Sequence, residues 1–358
     1  MPEPSHGATC YPVRTMRTLS FLSLFLIFLV PGIGQTADNP KPTLPKEPRE
    51  VFAAAAPFYD FSDPALKPWH MKVTYQLYDE KGKPSEQGTY EYWWASPQVH
   101  RSTWNRPSAT HIDWYTADGK HAYAGTGEAL NYFESQLQSM LLSPLPNSSQ
   151  LNPNKFFLDK KKLVSKGSNA PCYRIVPVTQ DGISENLMYC FDAQLPIVVG
   201  INSHGTLLTM FRDFVQMQGR SLPREVEFRD GSRNVLTAKV DSVGGLSSLD
   251  AALTPPSDAI LVRSEKLIGD EKGITQGKVI KRAEVEFPKG LGSGTVWLQI
   301  TVGADGRVHD PNVITSTSPA LAAVALKSVS QWLYAPYKLN GEPVDALEEI
   351  GLSVKQDR

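Results

Sequence analysis

The chain has 358 residues, with 36 Lys and Arg against 37 Asp and Glu, so it is long enough for two domains and carries a formal net charge of −1. That balance argues against a nucleic-acid partner, which would demand a basic stripe to meet phosphate. The 26 Gly and 28 Pro are spread along the chain as punctuation, which argues against global disorder.

Residues 1–34 read as an export signal. Leu19 to Val30 is an apolar run broken only by Ser20 and Ser23, with Arg14 and Arg17 ahead of it and Pro31-Gly-Ile-Gly34 behind. The run is shorter than the ~20 residues a membrane helix needs, and a basic flank with a small-residue exit is the export pattern. Cleavage is expected after Gly34 or near Ala37, and an uncleaved anchor is the competing reading. Cys10 lies upstream of the apolar run, so it is not a lipoprotein cysteine. Residues 35–50 are a short proline-rich linker.

From Trp69 the period becomes two: Trp69, Met71, Val73, Tyr75 and Leu77 alternate with polar residues, the pattern of a half-buried strand. Lys81-Gly82 turns the chain, and Tyr90, Tyr92 and Trp94 point one way from the next strand. Ile112 to Trp114, Asp118-Gly119 and His121 to Tyr123 repeat the hairpin pattern. A helix is predicted next, capped by Thr126, with Leu130, Phe133, Leu137 and Leu141 as its stripe and Pro144 and Pro146 as its stop. A second short helix is predicted within 151–166. Strands follow at Tyr173–Val178, Met188–Phe191, Leu207–Phe214, Arg224–Phe228 and Leu236–Val243.

Many strands and few helices over residues 51–256 predict an α+β domain, a curved antiparallel sheet or half-barrel with packed helices. After export only Cys172 and Cys190 remain, and an even pair in an exported chain reads as a disulfide joining two adjacent strands. Two unpaired thiols are the alternative. Residues 257–277 form a linker.

The last module, residues 278–358, predicts β-β-α-β. Val296, Leu298, Ile300 and Val302 alternate, Asp305-Gly306 turns, Ser318-Pro319 caps a helix from Ala320 to Leu333, Asn340-Gly341 turns again, and Ile350, Leu352 and Val354 form a last strand.

Several of these motifs stand in a recognisable order over residues 278–354. They are Gly294 to Val302, Asp305-Gly306-Arg-Val308, the Ala325 to Trp332 helix, Tyr334-x-Pro336 and Asn340-Gly-Glu-Pro-Val344. This segment resembles the C-terminal domain of the TonB energy-transducer family. The resemblance implies a periplasmic domain that engages an extended peptide of an outer-membrane receptor by strand pairing. The candidate edge is the last strand, with Glu349, Gly351, Ser353 and Lys355 facing out. The chain departs from that family in its short proline stretch and in the folded module ahead of the domain, so energy transduction is expected only if the leader stays as an anchor.

Residues 51–256 resemble an outer-membrane lipoprotein-sorting, LolA-like module, through Tyr189-Cys-Phe-Asp192, Phe211-Arg-Asp-Phe214 and Leu222-Pro223. That resemblance implies a lipid-accepting concavity. Aromatic residues crowd 90–123, and Tyr90, Tyr92, Trp94, Trp114 and Tyr123 are the candidate walls of an apolar cavity. The chain contains no phosphate loop, nucleophile elbow, dinucleotide fingerprint or His-Glu-x-x-His motif. No catalytic residue, cofactor or metal ligand is therefore predicted. The expectation is an exported cell-envelope binding protein with a membrane or envelope protein as partner, and a lipid as the alternative ligand.

Overall fold

The computed structural model describes residues 44–147, 150–162, 170–178, 187–246, 251–261, 267–268, 274–275, 277–283 and 293–354. The export signal, its cleavage point and Lys355 lie outside the described residues. The described residues belong to a single compact unit.

The two-residue alternation in the sequence becomes one large antiparallel sheet. Its strands are β1 (Trp69–Tyr78), β2 (Pro84–Ser96), β3 (Val99–Arg106), β4 (Ala109–Tyr115), β5 (His121–Gly127), β6 (Phe156–Lys162), β7 (Pro171–Pro177), β8 (Met188–Phe191), β9 (Val198–Ser203), β10 (Leu207–Met217), β11 (Arg220–Asp230), β12 (Arg233–Gly245) and β13 (Ile260–Leu261). They run in the order β13-β5-β4-β3-β2-β1-β12-β11-β10-β9-β8-β7-β6. Only the β1–β12 contact joins strands distant in sequence within the body of the sheet, closing two meanders into one surface. In β1 the side chains of Trp69, Met71, Val73 and Tyr75 are buried while their neighbours are not, as a sheet covered on one face requires.

Two helices cover that inner face. In α1 (Pro48–Ala55), Val51, Phe52 and Ala55 are buried, and Phe52 meets Tyr173, Tyr189 and Phe191 edge-on at 5.2–6.3 Å. In α2 (Tyr132–Leu142), Phe133, Leu137 and Leu141 are buried. Here the structure differs from the sequence reading. Thr126 sits in β5, paired with Thr110, and the cap is Asn131. Its Oδ1 accepts from the Glu134 N–H (2.9 Å), and the Glu134 carboxylate accepts from the Asn131 N–H (3.0 Å). This is a reciprocal capping box with Asn in place of Ser or Thr. The helix predicted within 151–166 is instead strand β6, paired along its length with β7 from Phe156↔Pro177 to Lys162↔Pro171. Sheet pairing overrides the weak helical pattern there. Helix α1 begins at Pro48, inside the stretch read as linker, and β3 and β9 were not anticipated. Cys172 and Cys190 are cross-strand partners of β7 and β8 and are joined by a disulfide.

The second module begins within the predicted linker. Strands β14 (Leu267–Ile268), β15 (Ile274–Thr275) and β16 (Lys278–Lys281) precede β17 (Gly294–Val302) and β18 (Val308–Ser316). Helix α3 (Pro319–Val329) follows, then β19 (Leu333–Ala335), β20 (Tyr337–Leu339), β21 (Glu342–Val344) and β22 (Ala346–Val354). The central sheet has the order β14-β22-β17-β18. Ser318 caps α3, its Oγ accepting from the Leu321 N–H at 3.2 Å, with Pro319 in the first turn. The helix ends at Val329 rather than Leu333, because the Tyr334 N–H bonds to the Gly306 carbonyl (2.8 Å) and draws the chain into β19. Gly306 permits this contact. It adopts φ +77°, and a Cβ there would collide with the Tyr334 carbonyl oxygen.

Strand β17 is covered on both faces. Val296, Leu298, Ile300 and Val302 pack with Leu321, Ala325 and Val329 of α3. Trp297, on the other face, belongs to the core of the large module, as does Ile314 of β18.

Candidate functional site

The strand registers lay the inner face out in rows. One row runs Trp69, Trp94, His100, Tyr115, His121, and the next runs Met71, Tyr92, Ser102, Asp113, Tyr123. A third runs Val73, Tyr90, Trp104, His111, Gly125. Between these rows and α2 lies a cleft of about 690 Å³. Tyr92, Trp94, Trp104 and Tyr115 form the aromatic part of its sheet wall, and Ser135, Gln138, Ser139 and Leu142 form its helical wall. Tyr59 and Phe61, just after α1, complete the lining, and Tyr59 is fixed there by the Val198 N–H donating to its hydroxyl (2.8 Å).

Several polar groups in the cleft are engaged within the protein. Ser135 and Ser139 donate to the carbonyls of Tyr132 and Gln136 (2.7 and 2.8 Å), and the Asp113 carboxylate lies 2.7 Å from His121 Nε2. His100, Tyr115 and His121 stack as a three-ring ladder, with centroids 4.3 and 4.5 Å apart. Burial lowers the His100 imidazole from its ordinary 6.5 to about 4, since taking a charge out of water disfavours the protonated form. Its Nδ1 is buried and meets no partner among the described residues. Burial likewise raises the hydroxyls of Tyr92 and Tyr59 above the ordinary phenol value.

Of the five aromatic residues expected to wall a cavity, Tyr92 and Trp94 line this cleft. Tyr90 lies on the same face but fully buried, stacked on Trp104 at 4.1 Å. Tyr123 shares the face too, and its hydroxyl lies 2.7 Å from His111 Nδ1. Trp114 belongs to the opposite face, in the row His70, Trp93, Arg101, Trp114, Ala122. There Arg101 lies over Trp93 and Trp114 at 4.5 and 5.4 Å, and the Trp114 indole donates to the Ala252 carbonyl (2.9 Å).

Helix α2 is held in place by a charged cluster that the sequence reading missed. Arg106 Nε donates to Glu134 (3.0 Å), and its Nη1 donates to Glu86 (2.7 Å) and Glu128 (3.2 Å). Tyr75 donates to Glu134 as well (2.7 Å). The Glu134 side chain is 0% exposed and that of Arg106 5%. The spacing Asn131-x-x-Glu134 was the one local signal; its partners Arg106 and Tyr75 are distant in sequence.

The C-terminal strand has a mixed environment. Ile350 and Leu352 pack against the module's own core. Glu349 and Gly351 lie on the other face, where Glu349 Oε2 is 3.0 Å from His204 Nε2 and Gly351 lies against the Trp297 ring. Ser353 is exposed. Along the outer edge β14 pairs in parallel with Ala346 and Leu347, and beyond Leu347 no strand among the described residues pairs there. The two modules meet through this second face. The His204 ring stands edge-on to Trp297 at 4.8 Å, and Thr315 Oγ donates to Asp230 (2.8 Å) and lies 3.0 Å from Thr206 Oγ.

Among the described residues there is no cluster of three or more His, Cys, Asp or Glu suited to a metal ion, and no helix long and apolar enough to cross a membrane. No curated protein matches the chain. Among solved structures, a DUF1329 family protein from Desulfovibrio piger aligns at a TM-score of 0.36 and 9% identity, over 57% of this chain and 95% of its own. A LolA superfamily protein from Nitrosomonas europaea aligns at 0.35 and 7%, over 58% and 97%. An outer membrane lipoprotein-sorting protein domain from Vibrio parahaemolyticus aligns at 0.35 and 6%, over 56% and 93%. Residues 292–350 match the family model of the Gram-negative bacterial TonB protein C-terminal domain.

Proposed function

We propose that this is an exported binding protein of the cell envelope, acting without catalysis, whose cleft between the sheet and α2 takes the acyl part of a lipid. The observation that carries this reading is the lining. Its volume of about 690 Å³ lies in the range of small-ligand sites, aromatic and aliphatic residues make up about half of its lining, and the Ser135 and Ser139 hydroxyls are bonded internally. An apolar chain could therefore enter without leaving those hydroxyls unpaired. Native mass spectrometry of protein purified without detergent is expected to show a lipid adduct, and Ser139→Trp is expected to abolish it. A dansyl-labelled fatty acid that binds neither form would refute the lipid reading.

A second reading concerns the C-terminal module, which matches a TonB C-terminal family model. An extended peptide of a membrane or envelope partner adds to the outer edge of β22 beyond Leu347, where Ile350 and Leu352 hold the strand inward and Ser353 is exposed. Main-chain hydrogen bonds supply affinity in such strand addition. Ser353→Pro removes one N–H and obstructs an incoming strand. A folded Ser353→Pro variant that keeps full partner binding would exclude this mode.

A further inference from the structure

Helix α2 is a wall shared between the cleft and the C-terminal module. Ser135, Gln138, Ser139 and Leu142 face the cleft. On another face Tyr132 stands edge-on to His204 at 6.3 Å, and Leu137 and Leu141 belong to the same continuous apolar core as Trp297 and Ile314. His204 is therefore a node. Its ring contacts Tyr132 of α2 and Trp297 of β17, and its Nε2 lies 3.0 Å from Glu349 of β22. It sits in the turn between β9 and β10, where His204 and Gly205 both adopt positive φ (51° and 79°), and its side chain is only 2% exposed.

The anchoring of α2 is uneven. Its first turn is fixed by the Asn131–Glu134 box and by Arg106 and Tyr75. Its last turn ends at Ser143 with a backbone bond to Ser139 and no side-chain cap. The last two turns lie between the cleft on one side and the shared apolar core on the other, a core in which β11 and β12 of the large module pack on α2 and β18 of the C-terminal module touches it.

We propose that occupancy of the cleft and docking of the C-terminal module are coupled through α2, so that a ligand in the cleft tightens the hold on Trp297 and Glu349, and loosening that hold weakens the ligand. The coupling rests on the ligand role proposed for the cleft and adds its regulation. Linkage makes it reciprocal: if the ligand favours docking, docking favours the ligand by the same factor. Residues that touch no ligand then control affinity.

The test uses the mature full chain and a dansyl-labelled fatty acid. Thr315→Val removes the bond to Asp230 and Glu349→Gln weakens the contact with His204, and neither residue lines the cleft. Each is expected to raise the dissociation constant about fivefold or more, the lower end of ordinary coupling. An unchanged constant in both folded variants overturns the proposal. A second arm needs no ligand. Ser139→Phe, or Gln138→Trp should the first not fold, fills part of the cleft from the helix side. It is expected to slow amide exchange at least severalfold in β17 and β22, and unaltered exchange there overturns the coupling. Failure of the wild type to bind the fatty acid would refute the lipid reading alone, and the exchange arm would still decide the coupling.

Discussion

Replacing Arg106 with Ala is the most informative single perturbation of the fold around the cleft. Arg106 bridges three carboxylates of very different exposure: Glu134 at 0%, Glu86 at 22% and Glu128 at 74%. The exposed Glu128 contributes little, since solvent screens such pairs. The loss is set by Glu134, which among the described residues keeps only the Tyr75 hydroxyl and the Asn131 N–H once the guanidinium is gone. Leaving a buried charge without its partner costs about 3–5 kcal/mol. At roughly 2–4 °C per kcal/mol for a domain of this size, the melting temperature should fall by about 6–20 °C in differential scanning calorimetry. Adding Glu134→Gln to Arg106→Ala removes the stranded charge and should restore part of the loss. A single variant that melts within 1–2 °C of wild type, or a double variant with no recovery, would mean that the cluster is hydrated and does not set the position of α2.

Two further perturbations test the cleft and the disulfide. His100 is held near 4 in the folded protein against an ordinary 6.5, so between these values the unfolded chain takes up a proton that the folded one refuses. Stability should therefore fall as the pH drops from about 6.5 to about 4, by about 3 kcal/mol in all. His100→Phe keeps the stack on Tyr115 and should flatten this part of the urea-melt profile, whereas an unaltered slope would assign the loss to other groups. Reducing Cys172–Cys190, which closes a loop of 18 residues, should cost about 3 kcal/mol by chain entropy. Non-reducing peptide mapping that finds two free thiols would contradict the pairing.

Strand alternation was legible where one face is buried, as in Trp69 to Leu77, because a period of two maps directly onto a half-covered sheet. The Ser318-Pro319 helix start and the cysteine parity were legible for similarly local reasons. Trp114 was not, because which face a residue joins depends on the register set by the Pro107-Ser108 turn between β3 and β4, and not on its aromatic character. Strand β6 was missed since Phe156 to Lys162 has no local β pattern apart from its pairing with β7. The Arg106 cluster joins β1, β2, β3 and α2 across 59 residues of sequence between Tyr75 and Glu134, so no window of sequence contains it.

The burial of Trp297 decides how the TonB-like module can act. In β17 the residues facing α3 alternate as an ordinary half-buried strand would, and Trp297 stands between them on the other face. The structure puts it against His204, Gly351 and the core of the large module, at 7% exposure. Releasing the module would return to water a side chain of the class that buries 150–250 Å². At about 25 cal/mol per Å² that alone costs several kcal/mol. This burial favours the docked arrangement, against the freedom that release of the module would gain. With α3 over one face of the small sheet and the large module over the other, strand edges and the surfaces of α3 and the hairpins are what the docked module can present. The docked TonB-like module is therefore a fixed wall of a larger body, in which the outer edge of β22 beyond Leu347 is paired by no strand among the described residues.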